Sequence, residues 1–348
     1  MIPVHSDIVS FKGTHYNFGY KQGEILKNSP IMKHREKLWK QKRERHFLIN
    51  RETYQSVINQ FIPPVWDELH GLADALQLPI DEAIIQFGGY YLEYGRSGCS
   101  IFTTDQFMIR NYDNHPNSYE GRYVIYEPTD EGFTTVGPSM QITGRTDGMN
   151  EKGLAMGYNF VNRRQSKDGF VCNMIGRIIL ETCANVQEAI DLLKEIPHRH
   201  SFNYVLTDPS GVTYVVEASP RRVVAHQNFV CTNHFHYLTD ENRYRMDDSL
   251  KRERLISNKG NNNIDMLQAF HLLNDDKYDI FSHDYGAYNG TLHTAIYSPK
   301  QKKIGIALGK QDYPLILDFE KLLDVSSIRI KQLKGTIKYR HPFINVNF

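Results

Sequence analysis

Cys99 follows Gly98 at a point where the chain changes from helical to strand texture. Eleven residues later comes the run Arg110-Asn111-Tyr112-Asp113. A thiol is a strong nucleophile only as thiolate, which needs a base or a positive charge beside it. Cys99–Thr103 and Phe107–Tyr112 read as two strands around the turn Thr104-Asp105-Gln106. Such a hairpin returns Arg110 and Asp113 to the neighbourhood of Cys99. Arg110 would supply charge, and Asp113 would hold a base. Gly98 allows the strained backbone that such a junction can require.

The base itself has more than one source. Cutting the chain between Gly98 and Cys99 creates an α-amine that titrates near about pH 8. That amine can take the proton of its own thiol, so one residue supplies nucleophile and base. An intact chain would instead need an imidazole, and His234 or His293 would serve. Either route needs donors for the oxyanion of an acyl-transfer intermediate. Asn159 in Gly157-Tyr-Asn-Phe160 and Asn233 in Thr232-Asn-His-Phe235 are suitable side chains at strand ends.

Six segments in order carry a resemblance. They are Gly98-Cys99-Ser100, Arg110-Asn-Tyr-Asp113, Gly148-Met-Asn-Glu-Lys-Gly-Leu154, Gly157-Tyr-Asn159, Thr232-Asn233-His234-Phe235 and Ser249-Leu-Lys-Arg252. The chain resembles the N-terminal nucleophile hydrolases of the acyl-coenzyme A:6-aminopenicillanate acyltransferase-like family, relatives of the choloylglycine (bile salt) hydrolases and penicillin V acylases. The resemblance implies an α+β fold, a four-layer αββα sandwich of two mostly antiparallel sheets with a helical N-terminal prefix. It implies self-cleavage between Gly98 and Cys99 into a prefix of residues 1–98 and a catalytic chain of residues 99–348 that stay together. It assigns Cys99 as nucleophile, with Asp113 and Arg110 against its amine and thiol. Asn233 becomes the oxyanion donor and Asn159 its assistant. Arg252 matches the last segment, with Arg254 two residues away as the competing choice. The substrate implied is a linear, non-peptide acyl amide, hydrolysed by water or passing its acyl group to an amine. Acyl-coenzyme A is a further acyl donor of this kind, and no cofactor is implied. Two other readings stand beside this one: a Cys-His thiol hydrolase with an uncut chain, and a non-maturing fold that serves as a binding or scaffold protein.

The elements that must position these residues follow from periodicity. Residues 20–48 read as a polar helix, with Ile31, Leu38, Trp39 and Phe47 loosely at helical spacing. A second helix carries Val57, Ile58, Phe61 and Ile62 and stops at Pro63-Pro64. A third carries Trp66, Leu69, Leu72, Ala73 and Leu76, and a fourth runs from Ile80 to about Tyr94. Beyond Cys99 come hairpins: 122–127 with 133–136, 140–149 with 154–160, and 202–207 with 212–217. Further strands fit 223–226 and 229–232, and a last pair fits 293–298 with 303–308. Helices fit 171–183, the stretch after the N-cap Asn185, 248–257 and 264–273. Short connections make the sheets largely antiparallel, and the layer rule places the helices outside two sheets.

Composition excludes several classes. The 348 residues hold 41 Lys and Arg against 40 Asp and Glu, so no whole-molecule field attracts nucleic acid or an anionic membrane. Residues 33–45 are locally basic and read as a solvated helix face. Mean hydropathy is −0.50 and no long apolar run occurs, so no membrane partner is expected. The N-terminal residues lack an apolar signal region, and a cytoplasmic location is the expectation. Association into a homo-oligomer is left open. Cys99, Cys172, Cys183 and Cys231 lack metal or redox spacing. His198/His200 and His234/His236 would share strand faces, but neither pair has further ligands at suitable spacing, so no metal site is expected.

Overall fold

The computed structural model describes residues 1–42, 50–90, 98–287, 289–323, 330–341 and 343. Strand β1 (Ile2–Gly13) opens the chain. Helices α1 (His15–Leu26), α2 (Pro30–Lys42), α3 (Arg51–Phe61), α4 (Pro64–Leu76) and α5 (Ile80–Phe87) follow. Then come β2 (Ser100–Thr103), β3 (Met108–Asp113), β4 (Arg122–Pro128), β5 (Thr135–Met140), β6 (Gly144–Arg145), β7 (Asp147–Asn150) and β8 (Ala155–Asn162). The pair α6 (Cys172–Thr182) and α7 (Val186–Glu195) precedes β9 (Ser201–Thr207), β10 (Thr213–Ala218), β11 (Val223–His226) and β12 (Val230–Cys231). The chain continues through α8 (Asp247–Lys259), α9 (Met266–Asn274), β13 (Thr291–Ser298), β14 (Lys303–Leu308), β15 (Leu315–Asp318), α10 (Phe319–Leu323) and β16 (Gln332–Ile337). Among the described residues no helix is long and apolar enough to cross a membrane.

Two sheets carry the fold. The larger has the order β11-β10-β9-β8-β7-β5-β4-β1-β16, with β6 attached to β5. The smaller has the order β12-β2-β3-β13-β14-β15. All ladders between these strands are antiparallel except β1 with β4. Helices α6 and α7 pack on the larger sheet, while α8 and α9 pack on the smaller one. β2 meets β8 across the space between the sheets, which completes the αββα layering. Strand alternation makes the layers: on β3, Met108 and Tyr112 enter the large central core, whereas Ile109 joins the core beneath α8 and α9. Both faces of β2 and β3 are buried, so these strands show no apolar-polar alternation.

The later helices and the other expected hairpins are present, but residues 140–149 do not form one strand: the chain turns at Gln141 and Ile142, both at positive φ, and only the short β7 pairs with β8. Further features differ from expectation. The polar helix read over residues 20–48 is divided into α1 and α2 around residues 27–29, with Pro30 at the start of the second helix. Residues 43–49, including Phe47, lie outside the described residues. The helix from Ile80 ends at Phe87, and residues 91–94 also lie outside them. Gly98 is absent from the residues with positive φ. Its small size matters instead, because a Cβ there would stand 2.9 Å from Asn289 Oδ1.

β1 was not legible as a strand, and it changes the meaning of the prefix. It lies inside the larger sheet, paired to β16 over Ile2–Asp7 and to β4 over Asp7–Gly13. A parallel pair needs a long crossover, and α1 to α5 lie within the connection from β1 to β4. A buried polar network adds to this. Arg177 on α6 pairs with Glu68 of α4, and its Nε donates to Glu181 at 2.9 Å. His15 Nε2 lies 3.2 Å from Glu181 Oε2, and Gln22 Nε2 donates to Glu68 at 2.7 Å. Burial would raise the Glu181 carboxyl, but Arg177 and His15 pull it down to about 2.

This network joins residues on both sides of Cys99, and it leaves two carboxylates stranded if its cation is removed. Arg177→Met is therefore expected to cost about 3–5 kcal/mol of stability. The urea midpoint, read at unchanged slope, measures it. A loss below about 1 kcal/mol would show that the pair is not needed to balance these buried charges.

Candidate active site

The β2–β3 ladder sets the first contacts. Ser100 stands opposite Asn111 and Ile101 opposite Arg110, so Cys99 falls beside the end of β3. Asp113 N–H donates to Cys99 Sγ at 3.4 Å, and Arg110 Nη2 donates to it at 3.6 Å. Cys99 itself is 1% exposed. Burial pushes Cys183 up to about 12, and Cys172 and Cys231 also lie well above the usual thiol range for that reason. Those three read as inert packing residues.

Arg110 crosses from the smaller sheet to the larger one. Its Nη1 donates to the Thr146 carbonyl and, at 3.0 Å, to Asp147 Oδ2, while Nη2 donates to the Tyr158 carbonyl. Its guanidinium carbon lies 4.9 Å from the Tyr112 ring centre and 5.0 Å from that of Tyr158. Burial would lower its proton affinity, but Cys99 and Asp147 hold it above the ordinary arginine value. Asp147 also accepts from Tyr297 Oη at 2.9 Å and lies 2.9 Å from His293 Nε2. Burial would raise Asp147, yet His293 and Arg110 hold it down at about 2. The close approach of Arg110 needs Gly157, where a Cβ would meet Arg110 Cδ at 3.2 Å and Ile101 Cδ1 at 3.1 Å.

Asp113 is poised differently. Thr291 Oγ1 donates to its Oδ1 at 2.7 Å. Its Oδ2 is buried with no hydrogen-bond partner among the described residues. Burial raises its carboxyl to about 7, against the opposing pull of Arg252 and Thr291.

Arg252 joins the remaining residues. Its Nη1 donates to the Cys99 carbonyl at 2.7 Å and to Ser100 Oγ at 2.8 Å, and its Nη2 donates to Asn233 Oδ1 at 2.9 Å. On α8 the buried residues Ser249, Arg252 and Ile256 form one stripe, whereas Arg254 is exposed. The geometry thus selects Arg252 over Arg254 as the arginine at Cys99. Asn233 Nδ2 donates to the Phe160 carbonyl at 2.8 Å. Asn159 lies on the inner face of β8, two residues from Gly157, and its Nδ2 donates to the Cys231 carbonyl at 2.9 Å. Its Oδ1 is buried without a partner among the described residues.

Cys99, Arg110, Asp113, Asn233 and Arg252 therefore form one connected group, and Asn159 stands one strand pairing away. The two histidines named as alternative bases are engaged elsewhere. His234 uses Nδ1 toward Ser249 Oγ at 2.9 Å and Nε2 toward Glu253 at 3.2 Å. His293 turns Nε2 to Asp147. Sequence reasoning missed Asp147, Tyr297 and Thr291. Asp147 directly precedes the Gly148–Leu154 segment, which was the one signal available for it.

A thiol at the entrance to an inner strand, between two sheets clad in helices, defines a layered α+β fold of the N-terminal nucleophile type. The chain belongs to the acyl-coenzyme A:6-aminopenicillanic acid acyl-transferase family, whose model matches residues 102–313. No curated protein matches it in sequence. Among solved structures it is similar to a penicillin V acylase from Agrobacterium tumefaciens, at 16% identity over 64% of this chain and 86% of that one, with a TM-score of 0.43. It is similar to a mutant of conjugated bile acid hydrolase from Clostridium perfringens, at 15% identity over 70% and 97%, with a TM-score of 0.45. A Caenorhabditis elegans ortholog of N-acylethanolamine-hydrolyzing acid amidase matches at 13% identity over 58% and 93%, with a TM-score of 0.40.

The raised Asp113 carboxyl has a measurable consequence in the uncut chain. An unfolded Asp titrates near about 3.9. Between that value and about 7 the folded chain keeps a proton that the unfolded chain releases. Stability therefore falls as pH rises through this window, and it is level in this respect above it. Urea unfolding of a Cys99→Ala chain, with and without Asp113→Asn, isolates the effect at about pH 5 and about pH 8. Equal pH dependence in both chains would remove the assignment.

Proposed function

We propose that this protein is a self-activating cysteine amidohydrolase that cleaves the N-acyl bond of a linear, non-peptide amide through an acyl-Cys99 thioester. One observation carries the reading. The Cys99 thiol lies against the Arg110 guanidinium, and the adjacent Asp113 holds a buried carboxylate oxygen with no partner among the described residues. An α-amine at Cys99 is a cation suited to that oxygen.

Maturation proceeds in two steps. Cys99 Sγ attacks the Gly98 carbonyl, the Gly98–Cys99 C–N bond breaks, and the nitrogen becomes the Cys99 amine. Water then hydrolyses the resulting thioester, leaving a Gly98 carboxylate and the free thiol. The prefix 1–98 stays bound, because β1 is paired on both edges.

Turnover repeats the chemistry on a small molecule. The amine takes the thiol proton, Sγ attacks the amide carbon, and the proton passes to the departing amine. Asn233 donates to the oxyanion and Asn159 assists, with Arg252 holding Asn233 through its Oδ1. Water releases the acid, and an amine in its place would give acyl transfer. The balanced charge of the chain supports a small-molecule partner rather than nucleic acid.

Intact mass measured under denaturing conditions tests the maturation step. Two chains are expected, and the second begins Cys-Ser-Ile-Phe. A single unprocessed chain that still hydrolyses amides would sink the mechanism. Cys99→Ala should block both cleavage and turnover. Asn233→Ala should keep the fold and lose about 3 kcal/mol of transition-state stabilisation, read as kcat/KM on a panel of acyl amides. Near-normal turnover in that variant would take Asn233 out of the site.

A further inference from the structure

In the sequence His234 and His236 have no third ligand at suitable spacing. The fold supplies one. Helix α8 brings Glu253 between the two rings, with Oε2 at 3.2 Å from His234 Nε2 and Oε1 at 2.7 Å from His236 Nε2. The pair lies on an irregular segment after β12 rather than on a strand, and both rings still turn Nε2 toward one carboxylate. One ligand atom from each of the three residues lies within 4.8 Å of the others. Bonds of about 2.0–2.2 Å to a tetrahedral zinc ion place neighbouring ligand atoms about 3.3 Å apart.

The surroundings orient the ligands. Ser249 Oγ donates to Thr232 Oγ1, and Thr232 Oγ1 donates to the Ser249 carbonyl. His234 Nδ1 lies 2.9 Å from Ser249 Oγ and 3.2 Å from Thr232 Oγ1, so the two hydroxyls hold the ring on that side and leave Nε2 facing Glu253. A ligating histidine whose other nitrogen donates to a fixed acceptor is the usual support of a metal site. Glu217 holds the backbone that carries the second ring, since its carboxylate accepts the backbone N–H groups of His236, Tyr237 and Leu238. The His234 side chain is 6% exposed and that of His236 38%, so the site is anchored on one side and open to water on the other.

We propose that His234, His236 and Glu253 bind one divalent transition-metal ion of the zinc type, with water completing its coordination. Two nitrogens and a carboxylate form the donor set expected for such an ion. Asn233 precedes His234, and Arg252 precedes Glu253. The ion would thus tie the segment carrying Asn233 to the helix carrying Arg252. It needs no cleavage at Cys99, so this proposal stands or falls apart from the proposed maturation.

Zinc titrated into the tag-free, chelator-treated full chain should bind at one equivalent and raise the melting temperature. His236→Ala and Glu253→Gln, each confirmed as folded by circular dichroism, should weaken that binding by about tenfold or more. Cobalt(II) in place of zinc should show ligand-field bands without thiolate-to-metal charge transfer, which separates this site from the Cys99 thiol. Absence of binding, binding that survives both substitutions, or a thiolate charge-transfer band would each overturn the proposal.

Discussion

A guanidinium taken wholly out of water must have its charge matched, and Arg110 sets the structure around that need. It leaves β3 of one sheet and finds its acceptors on the other, at Asp147 and the carbonyls of Thr146 and Tyr158. The sheets therefore meet beside the Cys99 thiol. Asp147 is itself held ionised by His293 and Tyr297 on β13, so the charge balance closes back on the smaller sheet. Gly157 gives the side chain room to cross. Cys99 lies at the end of this arrangement, against a cation whose position is fixed on three sides.

A second constraint acts on the prefix. The proposed cut at Gly98–Cys99 requires that the two pieces remain one fold. Here the first strand is interior to the larger sheet, and releasing it would expose two ladder edges. The buried Arg177, Glu68, Glu181 and His15 group adds charges that no separated piece could keep satisfied. The prefix is thus part of the domain, with its helices serving as the crossover that a parallel strand pair requires.

Local signals were enough wherever an element declared itself over a short stretch. The Thr104-Asp105-Gln106 turn marked the hairpin that returns Arg110 and Asp113 to Cys99. Asn185 marked the start of α7 and accepts the Glu188 N–H as a cap. The proline pair at 63–64 marked the end of α3 and the start of α4. β1 carried no such mark: Val4 and Ser6 are buried while Ile8 and Phe11 are only half-buried, so its apolar residues follow no clean period. Its partners lie more than a hundred residues away, and its strand character comes from them.

Residue types and their order determined the family and the grouping of Cys99 with Arg110 and Asp113, because a hairpin and six short segments are local facts. The tertiary structure decided what depends on distance through space. It turned Arg252 rather than Arg254 toward Cys99, since only one face of α8 is buried. It brought Asp147 under Arg110 and Glu253 between two histidines, across separations in the chain that no spacing rule spans. It also enclosed one oxygen of Asp113 away from water and from any described hydrogen-bond partner, and desolvation of that carboxyl is a property of the packed fold alone.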